Sequence, residues 1–251
     1  MTDHIQIARS DRTLEIRFAR ADKKNALTGA MYRSMTEALQ TASTDPQIRA
    51  VLFTGEGGAF TAGNDLGDFL NGPDGAMPAF AFIRALAAFE KPLVASVRGL
   101  AVGIGTTMLF HCDLVYASPD ARFTMPFVNL GVVPEAAASL LAPQRLGHAK
   151  ASAMLLLGEP MDAKTADTVG LVTALVVEAE LDDVARAKAA ALCLKPPAAL
   201  AAARRLMRGD TAPILQRIDE EATLFATALE SDDAREAFAA FLEKRPPVFL
   251  S

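Results

Sequence analysis

The chain has 251 residues with 51% hydrophobic and 22% charged side chains and a net charge of −5 at neutral pH. That length fits one large domain, or a domain with an appendage, and needs no disulfide or metal staple to build a core. The balance excludes a disordered chain, and the acidic net charge argues against non-specific nucleic-acid binding, which needs a basic face to displace phosphate counterions.

Cys112 and Cys193 stand far apart without a Cys/His ligand pattern, and His4, His111 and His148 are scattered. A disulfide scaffold and a zinc site are therefore not expected, and a reducing, cytoplasmic compartment is. No apolar run reaches the ~18 residues of a membrane helix. The N-terminus lacks a basic and apolar leader pattern, and the last residues are not a peroxisomal address. No membrane partner is expected.

Residues 4–20 read as a hairpin, because Thr13–Phe18 alternates apolar and charged side chains with the period of a half-buried strand. Residues 28–43 switch to helical spacing through Met31, Met35, Ala38, Leu39 and Ala42, with Thr28 as the cap. Arg49–Thr54 is short and apolar and ends at Gly55, as suits a strand covered on both faces. A helix over Met77–Glu90, a strand over Leu93–Val97, a buried helix over Gly103–His111 and a strand over Asp113–Ala117 continue the alternation. The fold class is therefore α/β, with a mostly parallel sheet.

Beyond residue 134 the texture is helical: Pro134–Leu146, Ala149–Leu157 and everything after residue 180, with one strand expected over Leu171–Val177. Ile214, Ile218, Ala222, Phe225 and Leu229 form an apolar stripe that Phe238 and Leu242 continue past the Ser231-Asp232-Asp233 cap. Such a stripe must bury itself on its own core or on a partner subunit. We divide the chain into a core, residues 1–195, and a helical C-terminal region, residues 196–251.

Two glycine-bearing turns follow apolar strands: Phe60-Thr61-Ala62-Gly63-Asn64-Asp65-Leu66 and Arg98-Gly99-Leu100-Ala101-Val102-Gly103-Ile104-Gly105. Glycine admits close backbone approach, and the first turn of a helix offers unpaired N–H donors. Two such turns can aim two N–H groups at one oxygen, or they can be tight connections and nothing more. Neither matches a dinucleotide or P-loop fingerprint.

In this order and forty residues apart, the turns resemble the crotonase, or enoyl-CoA hydratase/isomerase, superfamily. Arg20–Leu27 resembles its N-terminal CoA-contacting segment, Cys112–Ser118 the strand after the second turn, and Phe241–Phe249 its closing helix and tail. The likeness covers residues 5–249. It implies a spiral of ββα units with a helical C-terminal trimerisation region, so a homotrimer or dimer of trimers is expected. It also implies an acyl-CoA thioester as substrate, with coenzyme A entering as part of it and no separate cofactor or metal. The resemblance assigns the oxyanion-hole donors to the backbone N–H groups of Asn64 and Ile104. It makes Lys24, Ala26, Ala62, Gly63, Asp65, Leu66, Gly103 and Lys244 substrate-contacting, with Lys244 acting from an adjacent subunit.

The departures carry information. Where the resemblance expects the two glutamates of a hydratase, this chain has Thr107 and Phe127. Hydration needs paired acid and base groups, so it is not expected to be efficient. Asn129–Glu135 instead resembles the segment with the single catalytic glutamate of peroxisomal-type Δ3,Δ2-enoyl-CoA isomerases, which makes Glu135 the expected base. On spacing alone, Pro134-Glu135 reads instead as an ordinary helix start favoured by the macrodipole.

Asp65 is expected to fix its turn, His111 and Asp113 to be bonded structural groups, and Arg204, Arg205, Arg208 and Arg217 to lie on a solvated face. Met31, Met35, Met77, Phe80, Phe82, Phe127 and Met154 are candidates for an acyl pocket, with core packing the default. The expected activity is conversion of a 3-enoyl-CoA to 2-trans-enoyl-CoA. A 2-enoyl-CoA hydratase, another crotonase reaction and a non-catalytic acyl-CoA-binding protein are the alternatives.

Overall fold

The computed structural model describes residues 4–69 and 73–249. Strands β1 (Ile5–Ser10) and β2 (Thr13–Phe18) form an antiparallel hairpin, and Leu14, Ile16 and Phe18 point into the core as the alternation predicts. Helix α1 (Gly29–Thr44) starts where the Thr28 side chain accepts the Met31 N–H, and its Met31, Met35, Leu39 face is buried.

Three ββα units follow. The first has β3 (Ala50–Gly55), β4 (Ala59–Thr61), α2 (Leu66–Phe69) and α3 (Pro73–Ala88). The second has β5 (Leu93–Val97), β6 (Leu100–Val102) and α4 (Ile104–Thr107), which runs into a 3-10 turn over Met108–His111. The third has β7 (Leu114–Ala117), β8 (Arg122–Thr124), α5 (Ala138–Leu146) and α6 (His148–Leu156).

The first strand of each unit joins one sheet, ordered β1-β2-β3-β5-β7 and closed by β10 (Ala174–Leu175). The second strand joins another, ordered β4-β6-β8 and closed by β9 (Met161–Asp162). Every pairing is parallel except β1–β2 and β8–β9. Each turn of the spiral thus adds one strand to each sheet.

The continuous apolar runs of β3 and β5 have a direct cause. Val51 and Phe53 face the main core, while Leu52 faces a second cluster under α8 (Leu181–Cys193); Val94 of β5 joins Leu52 there with Leu181 and Ala185. Helices α7 (Ala163–Thr168), α9 (Pro197–Arg208), α10 (Ala212–Leu229) and α11 (Asp232–Glu243) complete the chain. Among the described residues, no helix is long and apolar enough to cross a membrane.

The structure corrects several expectations. The helix expected from Pro134 begins only at Ala138, because Ala136 and Ala137 are left-handed, at φ 60° and 55°. The strand expected over Leu171–Val177 contracts to β10, since only Ala174 and Leu175 pair with β7. The C-terminal stripe is buried within the chain itself: Ile214, Ile218, Phe225, Leu229 and Phe238 belong to the main core, while Leu242 is exposed. Arg204 is not solvated. It is buried, with its Nε bonded to the Asp113 carboxylate and Nη1 to the Phe89 carbonyl. Arg208 likewise donates to the Phe89 and Ala87 carbonyls.

Asn25 ties the segment before α1 to the β3–β4 connection. It is fully buried and left-handed, at φ 58°. Its Nδ2 donates to the Glu56 and Ala59 carbonyls at 2.9 and 2.8 Å, and its Oδ1 accepts the Arg20 N–H. Asn25→Ala leaves these groups unpaired and removes a side chain that tolerates positive φ. It is expected to cost about 2–4 kcal/mol, read from the urea midpoint; a loss under about 0.5 kcal/mol contradicts this account.

Candidate active site

Strands β4 and β6 are parallel neighbours, so the turns that leave their C-terminal ends lie side by side. Two glycines set how closely. A Cβ on Gly63, at φ 87°, would stand 2.8 Å from the Val102 carbonyl oxygen, and one on Gly105 would stand 2.6 Å from Thr61 Cγ2. Real Cβ atoms do not approach that closely, so only glycine allows this contact of turn on turn. Thr61 Oγ1 adds to it by donating to the Asn25 carbonyl and accepting the Gly63 N–H.

The first turn also bridges to Leu27. The Leu27 N–H donates to the Gly63 carbonyl and the Asp65 N–H to the Leu27 carbonyl, which turns the N–H of Asn64 to the opposite edge. In the second turn, Ile104 is the first residue of α4 and has no helical carbonyl behind it. Among the described residues neither N–H is matched to an acceptor. The Ile104 side chain is fully buried in the main core, and Tyr32 donates its hydroxyl to Asn64 Oδ1.

A cavity of about 900 Å³ opens at these turns. Of the residues named from the sequence, Ala26, Ala62, Gly63, Asn64, Asp65, Leu66 and Gly103 line it. Ile104 lies just behind Gly103. Lys24 is exposed outside the lining, which takes its cations from Arg20, Lys23 and Arg245. Lys244 is the exposed left-handed cap of α11. The far wall is apolar, with Phe127, Leu130, Val132, Phe225, Phe238 and Leu242.

Of the acyl-pocket candidates, Phe127 lines the cavity; Phe80 stacks edge-on against Phe225. Met31, Met35, Phe82 and Met154 are core residues, and Met77 is exposed. Asp65 pairs with Arg20 at 2.6 Å and accepts the Gly67 N–H. Its partial burial opposes ionisation, but these partners outweigh that and hold the carboxyl below its usual range.

Glu135 is 2% exposed, three residues beyond cavity-lining Val132. The Thr107 hydroxyl donates to its Oε1 at 2.5 Å, so the carboxyl stands against the last residue of the helix that Ile104 begins. Burial pushes its pKa up to about 8; the Thr107 hydrogen bond opposes the shift and the Glu221 charge adds to it. Glu135 does not start a helix, so the macrodipole reading has no structural basis.

His111 was expected to be a bonded structural group. Its Nε2 lies 2.8 Å from the Ala136 carbonyl, and burial holds its pKa down to about 4. It is therefore neutral at pH 7, with Nε2–H as the donor. Among the described residues its Nδ1 has no partner.

Sequence reasoning missed Asn25, Tyr32 and Glu221. Glu221 carried a legible signal: it falls three residues after Ile218 and four before Phe225, on the buried face of α10. A carboxylate at an apolar position of a helical stripe marks a buried polar contact.

The family model for enoyl-CoA hydratase/isomerase matches residues 9–251. The crystal structure of an enoyl-CoA hydratase/isomerase from Pseudoalteromonas atlantica T6c superposes with a TM-score of 0.94 at 39% identity, covering 99% of this chain and all of that one. Enoyl-CoA delta isomerase 2 of Rattus norvegicus is 36% identical over 241 residues. That match covers 92% of this chain but only 61% of the longer rat protein. A probable enoyl-CoA hydratase of Bacillus subtilis (strain 168) is 33% identical over 233 residues, 90% of each chain.

The raised pKa of Glu135 has a consequence for stability. The folded chain keeps a proton that the unfolded chain releases near the ordinary value of 4.5, so this group costs stability increasingly from pH 4.5 to about 8. Glu135→Gln removes that cost. The variant is expected to match the wild type near pH 4.5 and to exceed it by about 1 kcal/mol or more at pH 8, measured by denaturant unfolding across that range. A difference that does not change with pH contradicts the dry carboxyl.

Proposed function

The chain belongs to the enoyl-CoA hydratase/isomerase family, a family of acyl-CoA enzymes, and on that premise we propose that it shifts a double bond, converting a 3-enoyl-CoA to the 2-trans-enoyl-CoA. One observation carries this reading: a buried carboxyl, Glu135, sits against Thr107 on the helix that starts at Ile104. At the positions where the resemblance expects hydratase glutamates stand Thr107, a donor to Glu135, and Phe127, an apolar cavity wall. The set suits a proton carrier better than a pair that activates water.

In the proposed reaction the substrate's thioester oxygen accepts the N–H groups of Asn64 and Ile104. Ionised Glu135 takes a proton from C2. The C–H electron pair moves into the C1–C2 bond, and the negative charge settles on the oxygen, where each donor is worth about 3–4 kcal/mol in the transition state. The protonated Glu135 then returns the proton to C4: the C3–C4 π electrons take it up, the C1–C2 π pair moves to C2–C3, and the charge on the oxygen returns to rebuild the thioester carbonyl. Atoms and charge balance without water, metal or redox partner. A base of pKa near 8 is well matched to this work at neutral pH. The cations Arg20, Lys23 and Arg245 on the cavity wall, with exposed Lys24 and a neighbouring copy's Lys244, are assigned to the CoA phosphates.

We also propose that copies of the chain associate as trimers or dimers of trimers. The internal stripe does not support this, since it is used within the chain; the support is the exposed Leu194 at the end of α8, Leu206 and Met207 on α9, and Phe241, Leu242 and Phe249 at the C-terminus. Light scattering at micromolar concentration is expected to give a multiple of three, and a monomer contradicts the proposal.

Turnover of 3-hexenoyl-CoA is expected to exceed hydration of crotonyl-CoA by about a hundredfold or more, because each missing acid or base group costs about 10²–10⁴-fold. Comparable rates on the two substrates contradict the isomerase reading. Glu135→Gln is expected to lower kcat by about 10²–10⁴-fold with KM little changed. A drop of less than about fivefold removes Glu135 as the base.

A further inference from the structure

Residues Pro134–Ala137 carry the proposed base but belong to no helix or strand. Ala136 and Ala137 are both left-handed, a conformation that alanine avoids because of its Cβ. Something outside the segment must hold it there.

Two side chains from separate elements do. From the 3-10 turn after α4, His111 Nε2–H donates to the Ala136 carbonyl. From α10, Glu221 takes the other side: its Oε2 accepts the Ala137 N–H at 2.6 Å, and its Oε1 accepts the Ser139 N–H at 3.0 Å and the Ser139 hydroxyl at 2.6 Å. Arg217 Nη1 donates to the same hydroxyl at 3.1 Å. A guanidinium only donates, so Ser139 Oγ accepts there and turns its own proton to Glu221. Three donors thus face the Glu221 carboxylate, which is buried and needs all of them.

We propose that Glu221 is a positioning residue for Glu135: its carboxyl, bonded to the Ala137 N–H and to Ser139, holds the left-handed Ala136–Ala137 turn that follows the base. This rests on the reading of Glu135 as the base. The groups facing the pair are Thr107 from α4, neutral His111, Ser139 from α5, and Arg217 from α10, which exposed Glu220 pairs in turn. Burial is the main cause of the raised pKa of Glu135, and the Glu221 charge acts in the same direction. Burial also raises the pKa of Glu221 itself, with the Ser139 and Ala137 donors and Arg217 opposing.

The test uses Glu221→Gln and the milder Ser139→Ala, which keeps Glu221 and removes one donor. In Glu221→Gln, an amide that takes the place of Oε2 turns a donor toward the Ala137 N–H. Two readouts are taken: kcat and KM on 3-hexenoyl-CoA, and the infrared titration of the Glu135 carboxyl against a Glu135→Gln blank. Glu221→Gln is expected to lower kcat about ten- to hundredfold with KM within about twofold. The Glu135 titration midpoint should fall below its wild-type value of about 8. Ser139→Ala is expected to lower kcat a fewfold, and it decides the matter if Glu221→Gln does not fold.

Thermal destabilisation with unchanged kcat and an unmoved midpoint overturns the proposal, because it leaves Glu221 a purely structural role. If Glu135→Gln itself keeps full turnover, the base assignment fails. The positioning role then falls with it, even where the infrared midpoint moves.

Discussion

Taking the Glu135 carboxyl out of water constrains everything around it. A dry carboxyl is costly to ionise, so its pKa rises to about 8, and it requires a hydrogen-bond partner that stays in place. Thr107 supplies that partner from α4. Helix α4 is only four residues long and is fixed by its ends: Gly103 caps it, its carbonyl accepts the Thr106 and Thr107 N–H groups, and Thr106 Oγ1 bonds back to the Ala101 carbonyl of β6. The position of the carboxyl is therefore referred to the same strand that positions Ile104. In the proposed chemistry, one rigid piece of backbone registers both the base and an oxyanion donor.

The spiral brings the second donor to the first. Because successive ββα units add strands to both sheets in parallel, the chain leaves β4 and β6 in the same direction, and the loops after them meet. Glycines at 63 and 105 let the two turns close to a distance that no side chain permits. Beyond them, α10 and α11 use their apolar faces twice: Phe225 and Phe238 belong to the main core and also line the cavity. The acyl-binding wall proposed here is thus continuous with the interior that stabilises the fold.

The sequence made much of this legible, and the reasons are local. Period-2 alternation marked β2, helical spacing and Thr28 marked α1, and a short apolar run marked β3, because each pattern reports directly on what is buried. The second sheet was illegible: its strands have only two or three residues each, too few for a period to show. The turns around Gly63 and Gly103 were visible as glycine after strand, but that they meet depends on parallel pairing across forty residues. Proline followed by glutamate suggested a helix start at residue 134; the tertiary bonds from His111 and Glu221 override that local preference. The basic positions of α9 failed for a similar reason, since Arg204 is drawn inward by Asp113, which is distant in sequence.

The central claim is that one shielded carboxyl carries the proton from C2 to C4. The direct measurement is a single turnover of 3-hexenoyl-CoA deuterated at C2, with the product's label located by mass spectrometry or NMR. Because Glu135 is 2% exposed, its transferred deuteron is held away from solvent, and a substantial fraction of the label is expected at C4 of the 2-enoyl product. Complete loss of the abstracted deuteron to water, with only solvent hydrogen delivered to C4, would contradict the account.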